Sequence, residues 1–262
     1  MSTRKEIIGG FYGEYDEDIR LIKSRHGQLE YRMTMNYIHR YASEGTRILE
    51  IGAGTGRYSV ALAKEGMDVT AVELLESNLE KLRKNSEGVP NIHPFQGDAT
   101  DLGMLEDDSF DVTLVFGPMY HLYEEDEVSR AINEAVRVTR TGGVILFAFL
   151  SVFAIMYANY FYGRWKEGLE ENFTEDYKVK HFKEQLFTGY DIAEFEELFR
   201  NRPVEHITTA GTDGLLEPIE DRPDFLMSDE DMDSLEKWYM SFCEKRELLG
   251  MTNHLLYICR KN

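Results

Sequence analysis

Residues 47–56 read Arg47-Ile48-Leu49-Glu50-Ile51-Gly52-Ala53-Gly54-Thr55-Gly56. A short apolar run stops there at three alternating glycines, and a helical pattern begins at Tyr58. Glycines at such a turn let the backbone fold tightly and let a ligand approach it closely. Free N–H groups at the start of the next helix can bind an anionic group. We interpret this segment as a ligand-binding loop that joins a strand to a helix.

Apolar runs and helical patterns alternate on the C-terminal side of this loop. The runs lie at 68–72, 91–95, 110–116 and 144–150, and helical patterns separate them at 58–65, 77–84 and 125–139. An amphipathic helix is predicted before the first run, at about 28–41. Strands that alternate with helices of this length form βαβ units around a parallel sheet. The sequence therefore predicts an α/β fold.

The pattern changes after residue 150. The stretch 151–182 is rich in aromatic residues, which we interpret mainly as the core of a helical insertion. Beyond it we predict a helix at 191–200, a strand at 204–210, a helix at 234–248 and a final strand at 254–259. No repeat or linker interrupts the chain, so one domain of residues 1–262 is expected.

The charge balance bears on the choice of partner. The chain of 262 residues has 29 Lys and Arg against 48 Asp and Glu, a formal charge of −19. Such a field repels polyanions unless a basic patch opposes it, and the basic clusters are short and flanked by acids. We therefore expect no nucleic-acid partner and no anionic membrane surface. The oligomeric state stays open.

Cysteine content and hydropathy predict a cytoplasmic protein. Two cysteines, Cys243 and Cys259, are too few for a disulfide scaffold. The N-terminus has no apolar run of signal-peptide length. The uncharged stretch 144–162 is long enough to span a bilayer. We interpret its first part as a buried strand instead, since strands of parallel sheets are apolar on both faces.

Two acidic residues follow the next two strands. Glu73 lies at the end of the second strand, where a carboxylate can accept hydrogen bonds from both ribose hydroxyls of NAD or of an adenosyl ligand. Asp98 follows the third strand, where it can accept from an adenine amino group. A dinucleotide fingerprint has its third glycine three residues after the second, whereas Gly56 comes two after Gly54. The spacing favours an adenosyl ligand over NAD.

In this order the motifs resemble the class I S-adenosylmethionine-dependent methyltransferases. The similarity covers residues 40–150 well, and the terminal segment 254–261 resembles the last, antiparallel strand of that family. The resemblance implies a Rossmann-like three-layer sandwich with a mostly parallel seven-stranded sheet. It also implies S-adenosyl-L-methionine as the cofactor. The segment 116–122 is similar to a group of bacterial methyltransferases that does not indicate a substrate.

The resemblance further implies a set of cofactor-binding residues. Glu50 and the glycine loop are expected to face the methionine moiety, Glu73 the ribose, and the residues after the second and third strands the adenine. The full set is Tyr15, Glu50, Gly52, Ala53, Gly54, Gly56, Glu73, Leu74, Asp98, Ala99 and Phe116.

It also implies an organisation of the domain. Residues 1–42 form an N-terminal helical lid, with Tyr15 near the carboxylate of the methyl donor. Residues 43–150 form the cofactor-binding core. Residues 151–200 form a helical insertion over the acceptor site, and residues 201–262 supply the C-terminal strands and helix.

Two residues after the fourth strand are candidates for catalysis. Methyl transfer from a sulfonium needs mainly orientation and exclusion of water, but an acceptor must still lose its proton. His121 is a candidate general base because its ordinary pKa lies near neutrality, and Tyr120 is a candidate for lining the methyl path. Packing roles remain open for both. The seven histidines show no metal-binding spacing, so no metal site is predicted.

The sequence thus predicts an enzyme, a methyltransferase that acts on a nitrogen or oxygen atom of a small molecule. Four alternatives remain. Two keep the adenosyl pocket: an adenosyl-ligand-binding protein without turnover, and an enzyme that transfers an aminopropyl or modified methyl group, for which the sequence shows no acidic pair suited to a polyamine. The others are a methyltransferase acting on tRNA or protein and, less favoured by the glycine spacing, an NAD oxidoreductase.

Overall fold

The structure is a computed structural model that describes residues 3–12, 17–182 and 185–262. Its strands are β1 (Arg47–Ile51), β2 (Asp68–Glu73), β3 (Ile92–Gln96), β4 (Phe110–Val115), β5 (Thr139–Ser151), β6 (Gly189–Tyr190), β7 (Val204–Gly211) and β8 (His254–Lys261). Its α-helices are α1 (Arg4–Tyr12), α2 (Arg20–Lys23), α3 (Arg25–His39), α4 (Arg57–Lys64), α5 (Glu76–Asn85), α6 (Glu125–Val138), α7 (Val152–Phe161), α8 (Trp165–Asn172), α9 (Ile192–Glu197), α10 (Leu216–Glu220), α11 (Asp229–Met240) and α12 (Arg246–Leu249).

These strands form one sheet in the order β3-β2-β1-β4-β5-β8-β7. The neighbours from β3 to β5 pair in parallel, and β8 runs antiparallel to both β5 and β7. The predicted fold class, with its seven strands and reversed last strand, is confirmed. The eighth strand, β6, adds two residues in parallel beside the end of β5. Two residues carry no periodicity, so the sequence could not predict it.

Helices cover both faces of the sheet and make the three layers. On one face, Leu29 and Met33 of α3 and Leu62 of α4 pack in a core cluster with Ile48 of β1. On the other face, α6 and α9 pack against the opposite sides of the same strands. In α6 the apolar side chains recur every three or four residues, which gives the helix one buried stripe. Both faces of the parallel strands are therefore buried.

Two elements differ from the sequence prediction. The strand predicted at 144–150 begins five residues earlier, so the Gly142-Gly143 pair lies inside the 13-residue β5. A register shift against β4 and a φ of +76° at Gly142 absorb the extra residues there as a bulge. The helix predicted at 234–248 is two helices, α11 and α12. It also begins earlier, because Ser228 and Asp231 form a capping box.

The apolar stretch 144–162 is divided between two elements. The strand β5 ends at Ser151, whose hydroxyl accepts the Ala154 N–H and caps α7. Within the described ranges, no helix combines the length and apolar content needed to cross a membrane.

Candidate functional site

A cavity of about 790 Å³ opens at the carboxyl edge of the parallel strands. This volume is within the range typical of small-molecule sites. We call one end the glycine-loop half; its lining comes from residues 4–8, 50–58, 73–78, 97–99 and 116–118. We call the other end the histidine half; its lining comes from residues 11–12, 20–34, 120–121, 148–187, 212–217 and 253–256.

Gly52 sits at the first turn of the glycine loop, where no other residue fits. Its φ is +83°, and a Cβ there would lie 2.3 Å from the backbone oxygen of Phe116. Ala53 and Gly54 also line the cavity. Gly56 is the N-cap of α4 and faces Leu82 rather than the cavity. The loop thus brings backbone to the cavity wall with few side chains in between.

Glu50 is buried at the end of β1 and lines the same wall. The Ser59 hydroxyl donates a hydrogen bond to it. Burial raises the pKa of Glu50 to about 8, although the Ser59 hydrogen bond opposes that rise. Glu50 is therefore largely protonated near pH 7 and can act as a hydrogen-bond donor.

Glu73 is the last residue of β2, and its side chain is hydrogen-bonded to the glycine loop. One carboxylate oxygen accepts the Gly54 N–H at 2.8 Å, and the other accepts the Leu75 N–H at 2.8 Å. Its neighbour Leu74 and Phe116 line the cavity beside it. These bonds hold the carboxylate at the cavity wall.

Asp98 is already engaged by the N-terminal helix. Arg4 of α1 donates a hydrogen bond to one of its oxygens, and Thr100 donates twice to the other, both at 2.9 Å. Partial burial acts to raise the pKa of Asp98, but the hydrogen bonds from Thr100 and Arg4 hold it below its usual value. Ala99 lines the cavity next to it. A ligand amino group that uses this carboxylate must share it with Arg4.

His121 and Tyr120 lie in the histidine half, directly after β4. The His121 Nδ1 is 2.7 Å from the Leu186 carbonyl oxygen, and a carbonyl only accepts, so Nδ1 carries the hydrogen. The Tyr12 hydroxyl lies 3.3 Å from Nε2. Burial lowers the pKa of His121 to about 4. The ring is therefore neutral near pH 7, and its acceptor atom Nε2 is within hydrogen-bond distance of the Tyr12 hydroxyl.

Tyr120 is buried at the centre of the cavity wall. Burial raises the pKa of its hydroxyl far above the usual value. Its ring centroid lies 6.2 Å from that of His121 and 5.9 Å from that of His254. Tyr120 thus joins His121 to a second group of polar residues.

This second group was missed by the sequence analysis. His254 Nδ1 lies 2.7 Å from a carboxylate oxygen of the fully buried Asp213. Burial acts to lower the pKa of His254, but Glu30 and Asp213 raise it to about 9. Arg20 in turn donates to both oxygens of Glu30, at 2.7 and 3.1 Å. No spacing signals this group, because its members come from opposite ends of the chain.

Asp213, Glu217 and His254 place their ligand atoms within 4.8 Å of one another. The sequence analysis predicted no metal site, because no spacing of the histidines brings these three residues together. Asp213, however, also accepts from the Thr252 hydroxyl and from two backbone N–H groups. Its oxygens are thereby committed to hydrogen bonds and to the protonated His254. The prediction of no metal site stays a prediction.

The N-terminal helix and the insertion reach the cavity in different ways. Arg4, Ile8 and Phe11 of α1 line it, whereas Tyr15 lies outside the described residues. From the insertion, Ile155 and Asn159 line it. The interpretation of the insertion's rings as a core was wrong for most of them. Six are more than two-fifths exposed: Tyr157, Tyr160, Phe161, Tyr162, Trp165 and Tyr177.

Comparison with known proteins shows a family match over part of the chain. Residues 48–143 match the family model described as "Methyltransferase domain". A demethylmenaquinone methyltransferase of Clavibacter sepedonicus is 41% identical over 103 residues, 39% of this chain and 40% of that protein. One of Staphylococcus aureus is 34% identical over 127 residues, 45% of this chain and 51% of that protein. The matches thus span about half or less of these relatives' length.

Solved structures resemble the whole chain. A Thermotoga maritima S-adenosylmethionine-dependent methyltransferase, described as a possible histamine N-methyltransferase, has a TM-score of 0.63 and 22% identity. The alignment covers 99% of this chain and 100% of the Thermotoga maritima chain. Phosphoethanolamine N-methyltransferase 1 of Haemonchus contortus, solved with phosphoethanolamine and S-adenosylhomocysteine, has a TM-score of 0.62 and 16% identity. The alignment covers 100% of this chain and 50% of the Haemonchus contortus chain. At these identities the likeness shows the fold.

Proposed function

We propose that this protein, which belongs to the class I S-adenosylmethionine-dependent methyltransferases, transfers a methyl group to a nitrogen or oxygen atom of a small molecule. S-adenosylmethionine is its cofactor. One observation carries the proposal: the glycine-loop half and the histidine half form a single cavity. A methyl donor and an acceptor can therefore meet inside it with little water between them.

The glycine-loop half has groups suited to each part of the cofactor. Glu50 and the loop backbone at 52–54 would face the methionine moiety, with Phe116 beside the sulfonium. The Glu73 carboxylate would accept from the ribose hydroxyls, and Leu74 would pack on the adenine. Asp98 and Ala99 would bind the adenine edge. Tyr15 stays a proposal from the resemblance alone.

Methyl transfer is an in-line displacement. A lone pair on the acceptor attacks the methyl carbon as the carbon–sulfur bond breaks, and the bonding pair leaves with the sulfur. A hydroxyl oxygen becomes strongly acidic as it gains the methyl group, so a weak base can take its proton. We propose that Nε2 of neutral His121 takes that proton, with Tyr120 lining the path of the methyl group.

The acceptor is proposed from this chain's own cavity rather than from its relatives. The family model ends at residue 143, before the insertion and the C-terminal segments that supply most of the histidine half. The net charge of −19 disfavours nucleic acid as the acceptor. A small molecule fits a cavity of about 790 Å³. A cytoplasmic location remains part of the proposal.

Calorimetric titration with S-adenosylmethionine, S-adenosylhomocysteine and NAD tests the cofactor. We expect micromolar binding of both adenosyl ligands and no binding of NAD. Transfer of an isotope-labelled methyl group into small molecules, tRNA and protein fractions of a cell extract then tests the acceptor class. Label in tRNA or protein alone would contradict the small-molecule proposal, and binding without transfer would indicate a non-catalytic binding protein.

A further inference from the structure

Glu217 of α10 lies in the histidine half of the cavity and is mostly buried there. One of its carboxylate oxygens accepts a hydrogen bond from the Asn253 amide at 2.5 Å. Burial acts to raise the pKa of Glu217, and the neighbouring Asp213 adds to that rise, whereas His254 and His26 oppose it. Neither catalysis nor cofactor binding, as proposed above, uses this carboxylate.

The other acids around Glu217 are paired with bases. Glu30 is paired with Arg20, Asp213 with His254, and Glu220 with His26 at 2.8 Å. For Glu217 the hydrogen-bond partner among the described residues is the neutral Asn253 amide, and no ion pair is found for it in those ranges. Glu217 therefore has no base of its own, because the neighbouring His254 is already paired with Asp213.

The same half also has an excess of hydrogen-bond acceptors. The side-chain oxygens of Asn253 and Gln185 are buried and have no hydrogen-bond partner among the described residues. Both residues line the cavity. A buried acceptor without a donor is costly, so such groups are usually satisfied by a ligand or by water. The Glu217 carboxylate and these two amide oxygens are therefore acceptors for a hydrogen-bond donor supplied by a ligand or by water.

Aromatic rings border the same space. Phe11 and Phe187 pack with ring centroids 5.4 Å apart, and the His121 and Phe187 rings lie 5.1 Å apart. Tyr120 connects this aromatic wall to His254, which lies next to Glu217. Aromatic faces attract cations, and an apolar surround strengthens the attraction of a carboxylate for a cation.

We propose that the methyl acceptor carries a protonated amine, whose ammonium group donates hydrogen bonds to the Glu217 carboxylate and to the Asn253 side-chain oxygen. This inference rests on the proposed function, since it names the chemistry of the acceptor. An ammonium group supplies up to three donors to a site that is rich in acceptors. A divalent cation suits it less, because Asp213 and His254 already bind each other.

Matched ligand pairs test the proposal on the intact protein loaded with S-adenosylhomocysteine. The pairs are tyramine with 4-ethylphenol, tryptamine with 3-ethylindole, and 1,5-diaminopentane with 1,5-pentanediol. Each pair differs mainly in the presence of an ammonium group. In at least one pair we expect calorimetry to show roughly tenfold to a hundredfold tighter binding of the amine, the range of one charge-assisted hydrogen-bonded contact.

Variants then assign the effect to Glu217. Glu217→Gln should remove the preference for the amine, and Glu217→Asp should retain part of it. Glu220→Gln is the matched control, since Glu220 lies on the same helix but is directed to His26 and does not line the cavity. It should leave the preference within about twofold. Thermal melts of each variant check that it folds.

Three results would overturn the inference. The amines could bind no better than their neutral partners in all pairs, or their advantage could persist in Glu217→Gln. Alternatively, titration with Mg²⁺, Mn²⁺ or Zn²⁺ could reveal an ion that displaces the amine and depends on Glu217. A failure of S-adenosylhomocysteine to bind would instead contradict the proposed function, because amine binding to Glu217 can be measured without it.

Discussion

The two halves of the cavity are built in different ways. In the glycine-loop half, the three acids stand at or just after the end of a strand, and neighbouring strands bring Glu50, Glu73 and Asp98 to one edge. In the histidine half, the groups come from distant segments. His26 and Glu220 are 194 residues apart in sequence, and Asp213 and His254 are 41 apart.

This difference affects how each half is stabilised. The glycine-loop half depends on backbone geometry, as at Gly52, and on hydrogen bonds between neighbouring elements. The histidine half depends on buried ion pairs such as Asp213–His254 and Arg20–Glu30. Substitutions should therefore change the free energy of unfolding mainly through backbone geometry in the glycine-loop half and mainly through charge in the histidine half. The four predictions below test that distinction.

The largest effect is expected at Gly52. Gly52→Ala places a methyl group against the Phe116 backbone oxygen at a φ of +83°. Strain and overpacking together should lower the free energy of unfolding by about 2–5 kcal/mol. Chemical denaturation measures this. Gly45→Ala is the control, since its φ is +81° but no atom lies within 4 Å of the added methyl, and it should cost about 1 kcal/mol. Equal losses would show that contact with Phe116 is unimportant.

The second effect is a pH dependence in the histidine half. The pKa of His254 is raised from 6.5 to about 9 in the folded protein, so its contribution to stability is complete below pH 6.5. That contribution is lost as the pH rises through 9, by about 3 kcal/mol in free energy of unfolding. Denaturation of the wild type and His254→Gln between pH 6 and 10 should show a difference that shrinks with rising pH. A constant difference would contradict a protonated His254.

The third effect returns to the glycine-loop half. Glu73→Gln should weaken binding of S-adenosylhomocysteine by roughly 1.5–3 kcal/mol, because charge-assisted hydrogen bonds to the ribose are lost. Calorimetry measures the change. Glu76→Gln, on the exposed face of α5 and paired with Arg83, should leave affinity unaltered. If both variants bind alike, Glu73 does not contact the ligand.

The smallest effect is expected at Arg4. Its ion pair with Asp98 is partly exposed, so Arg4→Gln should change stability by less than about 1 kcal/mol. The variant frees a carboxylate oxygen, and we expect binding of S-adenosylhomocysteine to tighten by up to about fivefold. Weaker binding would instead indicate that Arg4 stays over the bound adenosyl group and holds it. Lys5→Gln serves as the charge control.

Sequence patterns predicted the core of the fold well and its C-terminal part less well. The run at 47–51 and the glycines after it placed β1 and the start of α4 within a residue. The periodicity of 125–139 likewise predicted α6. By contrast, a helix predicted at 234–248 is two helices, and the rings of 151–182 were assigned to a core although Tyr160 and Phe161 are largely exposed. The aromatic content of a segment does not by itself show which of its rings are buried in a core and which are exposed.

The sequence alone determined the alternation of strands and helices around a mostly parallel sheet and the polar residues at its carboxyl edge. Those features follow from short-range periodicity and from the rule that parallel strands end at one edge. Only the tertiary structure determined that Arg4 engages Asp98, that His121 is neutral, and that Glu217 lies beside Asp213 and His254. The physical reason is that burial and charge pairing depend on residues far apart in the chain, and sequence spacing carries no record of those distances.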